Sequence, residues 1–150
     1  MGSGTGQLAR QLHTEGWTVS GVDFSSVALR IARRSITSAR LRYILHDLAV
    51  GDPPQLPLGT IDMVTCRFAL PFLGDDGGLA FARRVRDRWL RPGGTLFVVT
   101  ALTERPPDRA VYTGLTKAQA KAVTCGWADV SEADHGLTKY LALRSAKASR

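Results

Sequence analysis

A glycine-rich loop at the start of the chain constrains its fold more than any other feature. Residues 1–6 read Met-Gly-Ser-Gly-Thr-Gly and lead directly into a helical pattern over residues 6–15. Residues 17–23 are typical of a strand that ends in a carboxylate, Asp23. Glycines at alternate positions let a backbone pass close to a ligand, and the amides at the start of a helix then face that ligand.

Helical and strand patterns alternate along the whole chain, which predicts an α/β fold with a mostly parallel sheet. The last two predicted strands would pair as a closing hairpin across residues 134–136. Residues 51–59 are too rich in proline for a helix and are expected to form an ordered loop, and residues 103–113 form a polar loop. The predicted helices cover residues 6–15, 25–39, 79–90 and 116–125, and the predicted strands cover residues 17–23, 41–45, 61–68, 95–100, 127–133 and 137–143.

The charge balance is basic, with a formal net charge of +7 over 150 residues. Such a balance can indicate an anionic partner such as nucleic acid. The basic residues are spread along the chain and are not interleaved with exposed aromatic residues, which favours solvated helix faces over a nucleic-acid surface. Residues 145–150 read as a frayed basic tail.

The distribution of apolar residues and of cysteines disfavours a membrane protein and a metal-binding protein. The chain has no apolar run of about 18 residues and no basic-then-apolar start, so we expect neither a membrane span nor a signal peptide. Its two cysteines, Cys66 and Cys125, lack the spacing of metal ligands, so we expect no metal site. Free cysteines fit a reducing, cytoplasmic location.

Two carboxylates follow predicted strands. Asp23 can accept both hydroxyls of a ribose at the tip of its strand, or it can form a turn or cap a helix. In the first case Phe24 would lie beside an adenine. Asp47 follows residues 41–45, where it can contact a base or form a turn. The glycine spacing differs from the G-x-G-x-x-G of nicotinamide dehydrogenases, which disfavours that class.

Taken with two further segments, the loop and the two carboxylates resemble class I S-adenosylmethionine (SAM)-dependent methyltransferases. Residues 56–64, Leu-Pro-Leu-Gly-Thr-Ile-Asp-Met-Val, resemble the L-P-F-x-x-x-x-F-D-x-V segment of small-molecule methyltransferases. Residues 90–96, Leu-Arg-Pro-Gly-Gly-Thr-Leu, resemble their L-x-P-G-G-x-L turn. The resemblance covers nearly the whole chain. It implies a Rossmann-like three-layer sandwich whose mostly parallel, seven-stranded sheet ends in an antiparallel hairpin.

The same resemblance implies residue roles. Asp47 would receive the adenine amino group, and the amide of Leu48 would meet a ring nitrogen. Phe68 and Phe72 would contact the acceptor, or else belong to the core. The sequence lacks the Asn-Pro-Pro-Tyr loop of methylases that act on amide or exocyclic amino nitrogens. It also lacks the Pro-Cys nucleophile of cytosine C5 methylases, and Cys66 is expected to be an inert buried thiol. The implied cofactor, SAM, would be bound by Gly2, Ser3, Gly4, Gly6, Asp23, Phe24, Asp47, Leu48 and Arg67.

The predicted function is therefore methyl transfer from SAM to a small-molecule acceptor. We assign no catalytic base, because His13 and His46 are expected to be structural and His135 to lie in an exposed turn. Two alternatives stay open. A non-catalytic Rossmann-like remnant or binding module would retain the fold without the cofactor. A nucleic-acid methyltransferase would account for the charge.

The family pattern also predicts a strand and an acidic residue ahead of the glycine loop, where this sequence has only Met1. We therefore expect a methyltransferase-like domain over residues 1–144 that is truncated at its N-terminus and lacks the first strand. In that case the second and fourth strands of the family would pair directly, or a partner would fill the gap.

Overall fold

The computed structural model describes residues 1–36, 38–74, 76–104 and 114–148. These residues divide into two compact units, Met1–Leu56 and Pro57–Arg150. Most of the polar loop predicted over residues 103–113 lies outside the described residues. Within the described ranges, no helix is long and apolar enough to cross a membrane.

The first unit alternates helix and strand, as the sequence predicts. Its two strands pair in parallel, with Val19 opposite Leu41 and Asp23 opposite Leu45. The carboxyl ends of both strands therefore meet at one edge of this sheet. In chain order the elements are α1 (Gln7–Thr14), β1 (Val19–Asp23), α2 (Ser26–Arg33) and β2 (Leu41–Leu45).

Helix α2 begins where the sequence predicts and ends earlier. The Ser25 hydroxyl accepts a hydrogen bond of 3.2 Å from the Ala28 N–H, which satisfies one of the free amides of the first turn. The helix ends at Arg33 rather than near residue 39. Its buried residues, Leu29 and Ala32, pack with the other members of a small apolar core, namely Ala9, Leu41 and Tyr43.

The second unit is built around a longer sheet in the strand order β3-β4-β7-β6, with β5 paired to the end of β4. Strands β3 and β4 are parallel, whereas β7 is antiparallel to both β4 and β6. The predicted closing hairpin is therefore present, shifted by one or two residues. The elements are β3 (Ile61–Arg67), α3 (Gly77–Arg84), β4 (Leu90–Thr103), β5 (Leu115–Thr116), α4 (Lys117–Val123), β6 (Asp129–His135) and β7 (Thr138–Arg144).

Helix α3 does not continue as an α-helix to residue 90. It passes into a wider π-helical segment, Val85–Trp89, which leads directly into β4. Phe81 and Trp89 are fully buried and meet edge to face, with ring centroids 5.5 Å apart. Aromatic packing of this kind stabilises the core beyond the area buried.

The turn predicted at residues 91–94 lies inside β4 as a bulge. Ile61 pairs with Leu90, but Met63 pairs with Thr95, so four residues of β4 loop out opposite one residue of β3. The segment that follows β7 is hydrogen-bonded to this bulge. The Ser145 N–H donates to the Gly94 oxygen at 2.9 Å, and the Gly93 N–H donates to the Ala146 oxygen at 2.9 Å. Fraying of the basic tail therefore cannot begin before residue 147.

Among the described residues, two strands form the sheet of the first unit and five form the sheet of the second unit. Strand β3 is only partly buried: Met63 is exposed, whereas Val64 and Cys66 are buried. Every residue of β6 is exposed, as expected for a strand at the edge of a sheet.

Candidate functional site

Asp23 lies at the end of β1 and joins the glycine loop to the start of α2. Its side chain is buried, with 8% of the residue exposed. One carboxylate oxygen, Oδ2, accepts a hydrogen bond of 2.7 Å from the Gly4 N–H, and the other, Oδ1, accepts one of 2.9 Å from the Ser25 N–H. The carboxylate thus fixes the position of the loop relative to the strand.

The glycines of the loop differ in what they face. Gly4 has φ +51°, and a Cβ atom there would meet nothing within 4 Å, so this part of the backbone borders open space. Gly6 has φ +81° and is buried, and a Cβ atom there would overlap the phenol of Tyr43. Gly4 therefore leaves room for a ligand, whereas Gly6 leaves room for a side chain of the protein.

Helix α1 begins directly after this loop with its amides uncapped. Its N-cap residue, Gly6, supplies no side-chain cap, and no acidic residue lies in the first turn. The first intrahelical bond runs from the Arg10 N–H to the Gly6 oxygen. The amides of residues 7–9 and the positive end of the helix dipole are therefore suited to a negatively charged ligand group.

Ser3 is anchored through its backbone and leaves its hydroxyl without a partner. Its N–H donates to the Val22 oxygen at 3.0 Å. Its Oγ atom is buried, and no hydrogen-bond partner is found for it among the described residues. A buried hydroxyl in this state costs free energy, which a polar ligand group at the loop would offset.

The end of β2 brings Asp47 to the same edge of the sheet as Asp23. The backbone N–H of His46 donates a hydrogen bond of 3.0 Å to the backbone carbonyl oxygen of Asp23. Oδ1 of Asp47 accepts from the Ala49 N–H at 2.9 Å and so caps the short 3₁₀ turn Leu48–Val50. The residue is exposed, as is Phe24, 74% of whose surface is accessible. The four predicted elements of the first unit, the loop, Asp23, Phe24 and Asp47, therefore share one edge.

The other predicted contacts lie in the second unit, at the end of β3 and in the segment that follows it: Arg67, Phe68 and Phe72. Arg67 is the exposed last residue of the strand. Phe68 has φ +52°, the only positive φ of a non-glycine residue in the described ranges, and its N–H donates to the Val99 oxygen at 2.7 Å. Such backbone strain is frequent at functional sites. Phe72 is 65% exposed, which excludes the alternative that it belongs to the core.

Cys66 is fully buried, and burial raises the pKa of its thiol, so the thiolate is disfavoured. In the ranges that the structure describes, no three His, Cys, Asp or Glu side chains are grouped to hold a metal ion. Nε2 of His46 lies 3.2 Å from the Gly51 oxygen, and His135 is exposed at the end of β6.

Two residues at this site were missed by the sequence analysis. Tyr43 and Gly21 are register partners on β2 and β1, and the tyrosine ring lies under the glycine loop. The signal that was available was Gly21 itself, because a glycine inside a strand often marks the close approach of another group. Its partner could not be identified without the register.

Comparisons with known proteins establish the family of the chain and its fold class. Residues 1–94 match a family model described as a methyltransferase domain. A ubiquinone biosynthesis O-methyltransferase of Sodalis glossinidius (strain morsitans) is 29% identical over 100 residues, which are 67% of this chain and 39% of that protein. The biotin biosynthesis bifunctional protein BioCD of Bordetella avium (strain 197N) is 36% identical over 109 residues, 69% of this chain and 21% of that protein. The chain thus spans less than half the length of these curated relatives.

Solved structures confirm the fold class, an α/β Rossmann-like fold. The PH0226 protein from Pyrococcus horikoshii OT3 aligns with a TM-score of 0.75 at 19% identity, covering 97% of this chain and 79% of that chain. A SAM-dependent methyltransferase from Mesorhizobium loti aligns with a TM-score of 0.73 at 22% identity, covering 95% of this chain and 88% of that chain. Because the family model matches more than half of the sequence, the chain belongs to the methyltransferase domain family, as its loop, its carboxylates and its Pro-Gly-Gly turn predict.

Proposed function

We propose that this chain is a SAM-dependent methyltransferase domain that transfers a methyl group to a small-molecule acceptor. The observation that carries the proposal is the Asp23 carboxylate, which is bonded to the Gly4 amide at the edge where the loop, β1 and β2 end. Family membership supports the same activity.

Asp23 has capacity to bind a ribose as well as the loop. An ionised carboxylate offers about four acceptor positions. The Gly4 and Ser25 amides occupy two of them, one on each oxygen. The remaining position on each oxygen can accept a ribose hydroxyl, so the structural bond and the cofactor bond are compatible on one side chain.

The loop and the start of α1 fit the amino-acid end of SAM. Gly4 borders open space, and the uncapped amides of α1 suit a carboxylate. The unpartnered Ser3 hydroxyl adds a polar group in the same loop. Gly2 belongs to the loop with φ +65°, and Gly6 contributes by shaping the loop rather than by facing the ligand.

The adenine end would lie beyond Asp23. We assign Phe24 to one face of the adenine ring, because an exposed aromatic side chain at this position gains from stacking on a base. Asp47 would accept from the exocyclic amino group through Oδ2, since Oδ1 already bonds Ala49. The Leu48 amide would meet a ring nitrogen.

When bound, SAM supplies a methyl group already activated by the sulfonium. The protein's task is then to align the acceptor and exclude water, and no base is required unless the acceptor must lose a proton. We assign Arg67 to the cofactor and Phe68 and Phe72 to the acceptor. The exposed ring of Phe72 and the strained backbone of Phe68 support this assignment.

A small-molecule acceptor is supported by the names of the relatives reported above, which refer to ubiquinone and biotin biosynthesis.

We further propose that residues 1–144 act as one methyltransferase domain followed by a basic segment, residues 145–150. The fold matches that cover 95–97% of the chain support this extent. Two free cysteines support a cytoplasmic location.

Calorimetric titration with S-adenosylhomocysteine tests the proposal. We expect saturable binding by the wild-type chain and none of NADH. Asp23→Ala should abolish the binding, whereas Asp129→Ala, which removes an exposed carboxylate from β6, should leave it unchanged. A folded wild-type chain that does not bind S-adenosylhomocysteine would instead be a non-catalytic Rossmann-like module.

A further inference from the structure

The ring of Tyr43 fills the space between a strand glycine and a loop glycine. A Cβ atom at Gly21, its register partner on β1, would lie 2.7 Å from Cδ1 and 2.9 Å from Cε1 of the ring. A Cβ atom at Gly6 would lie 2.8 Å from Cζ and 2.9 Å from Cε1. All four distances are too short for a real Cβ atom, so both positions require glycine while Tyr43 is present.

The ring acts through its volume rather than through its hydroxyl group. The Tyr43 hydroxyl lies 3.5 Å from the Gly6 oxygen, at the outer limit of a hydrogen bond. The residue is 9% exposed and belongs to the apolar core of the first unit. The loop therefore rests on a rigid, buried ring.

Ser3 is part of the same arrangement. A Cβ atom at Gly21 would lie 3.2 Å from the Ser3 Cβ, so Ser3 and the Tyr43 ring lie side by side over this glycine. From there the backbone continues to Gly4, whose N–H reaches Asp23. The position of the Tyr43 ring thus sets how closely the Gly4 backbone passes the Asp23 carboxylate.

We infer that Tyr43 is a positioning residue for the glycine loop and, through it, for the cofactor. This inference rests on the proposed function. A smaller apolar residue at position 43 would leave a void under Gly6, and the loop would lose the contact that holds it over β1. The chemistry of the loop would be unchanged, but its amides would no longer be held in one position.

A first experiment needs no ligand. Hydrogen exchange of the Ser3 and Gly4 amides, measured by NMR, reports how firmly the loop is held, because these amides donate to Val22 and Asp23. We expect Tyr43→Phe to keep both rates within about twofold of wild type, and Tyr43→Leu to raise both at least about tenfold relative to the Ile44 amide.

The matched control is Leu41→Ala, which truncates another buried residue of the same core and the same strand. Leu41 pairs with Val19, at the end of β1 far from the loop. The variant should be destabilised globally without changing the loop rates relative to Ile44. Equal loop effects of Leu41→Ala and Tyr43→Leu would overturn the inference, because Tyr43 would then act only through global stability.

A second experiment measures S-adenosylhomocysteine affinity in the same variants. We expect Tyr43→Leu to weaken binding at least about tenfold, and Tyr43→Phe and Leu41→Ala to change it less than about threefold.

Gly21→Ala should weaken binding, and the pair Gly21→Ala/Tyr43→Leu should bind better than Gly21→Ala alone, since neighbouring substitutions couple. Additive losses in the pair would contradict the inference. If the wild-type chain binds no S-adenosylhomocysteine, the proposed function fails, and the exchange rates alone decide the role of Tyr43.

Discussion

Oδ2 of Asp23 accepts a hydrogen bond of 2.7 Å from the backbone N–H of Gly4, a residue 19 positions earlier in the chain. The family resemblance implies that Asp23 binds a ribose, but in this structure the carboxylate is also part of the scaffold. A substitution at Asp23 therefore changes the loop as well as the ligand contact. Stability and binding must be measured together at this position.

Replacing Asp23 by alanine should lower the free energy of unfolding by about 1–3 kcal/mol, since the Gly4 and Ser25 amides both lose their acceptor. Urea unfolding measures the change. Asp47→Ala is the matched comparison, because this exposed carboxylate accepts a hydrogen bond from the Ala49 amide, whose loss should cost about 1 kcal/mol or less. Equal losses in the two variants would contradict a larger stabilising role of Asp23.

The two cysteines should differ in reactivity. Burial raises the pKa of Cys66, so at pH 8 its thiol stays protonated and shielded, whereas Cys125 is exposed. A disulfide reagent such as 5,5′-dithiobis(2-nitrobenzoic acid) should therefore modify one thiol rapidly in the folded protein and two in denaturant. Cys125→Ser should remove the rapid reaction. A rapid reaction that persists in Cys125→Ser would contradict the buried state of Cys66.

The helix cap at Ser25 should be measurable by itself. Ser25→Ala removes the acceptor for the Ala28 amide and should destabilise the protein by about 1 kcal/mol. Ser26→Ala changes an exposed serine at the next position, where no capping bond is formed, and should cost less than about 0.5 kcal/mol. Thermal unfolding of both variants compares them directly. A larger loss in Ser26→Ala would place the start of α2 one residue later.

Phe72 should matter for acceptor turnover and not for stability. Because 65% of its surface is exposed, Phe72→Ala should change the free energy of unfolding by less than about 0.5 kcal/mol. Phe81→Ala, which removes a fully buried ring from contact with Trp89, should cost about 3–5 kcal/mol. Denaturant unfolding of the pair supplies the test. A loss of several kcal/mol in Phe72→Ala would restore its assignment to the core.

Much of the fold followed from local patterns. Strand β2 has the predicted bounds, α2 begins at its predicted start, and the closing hairpin forms. Capping residues, turn glycines and periodicity act over a few neighbouring positions, so a sequence displays them directly. The C-terminal end of α2 and the change of α3 to a π-helical segment were not predictable, because packing rather than propensity decides where a helix stops.

The candidate site likewise combines features that the sequence shows directly with features that only the tertiary structure reveals. By itself, the sequence determined the family, the glycine loop and the carboxylates at the ends of two strands, because these depend on residue type and order. Only the tertiary structure decided that Gly6 faces Tyr43, 37 residues away, and that Asp23 holds the Gly4 amide. It also decided that Phe72 is exposed. These relationships depend on strand register and on the space left between side chains, and residues far apart in the chain create both only when they pack.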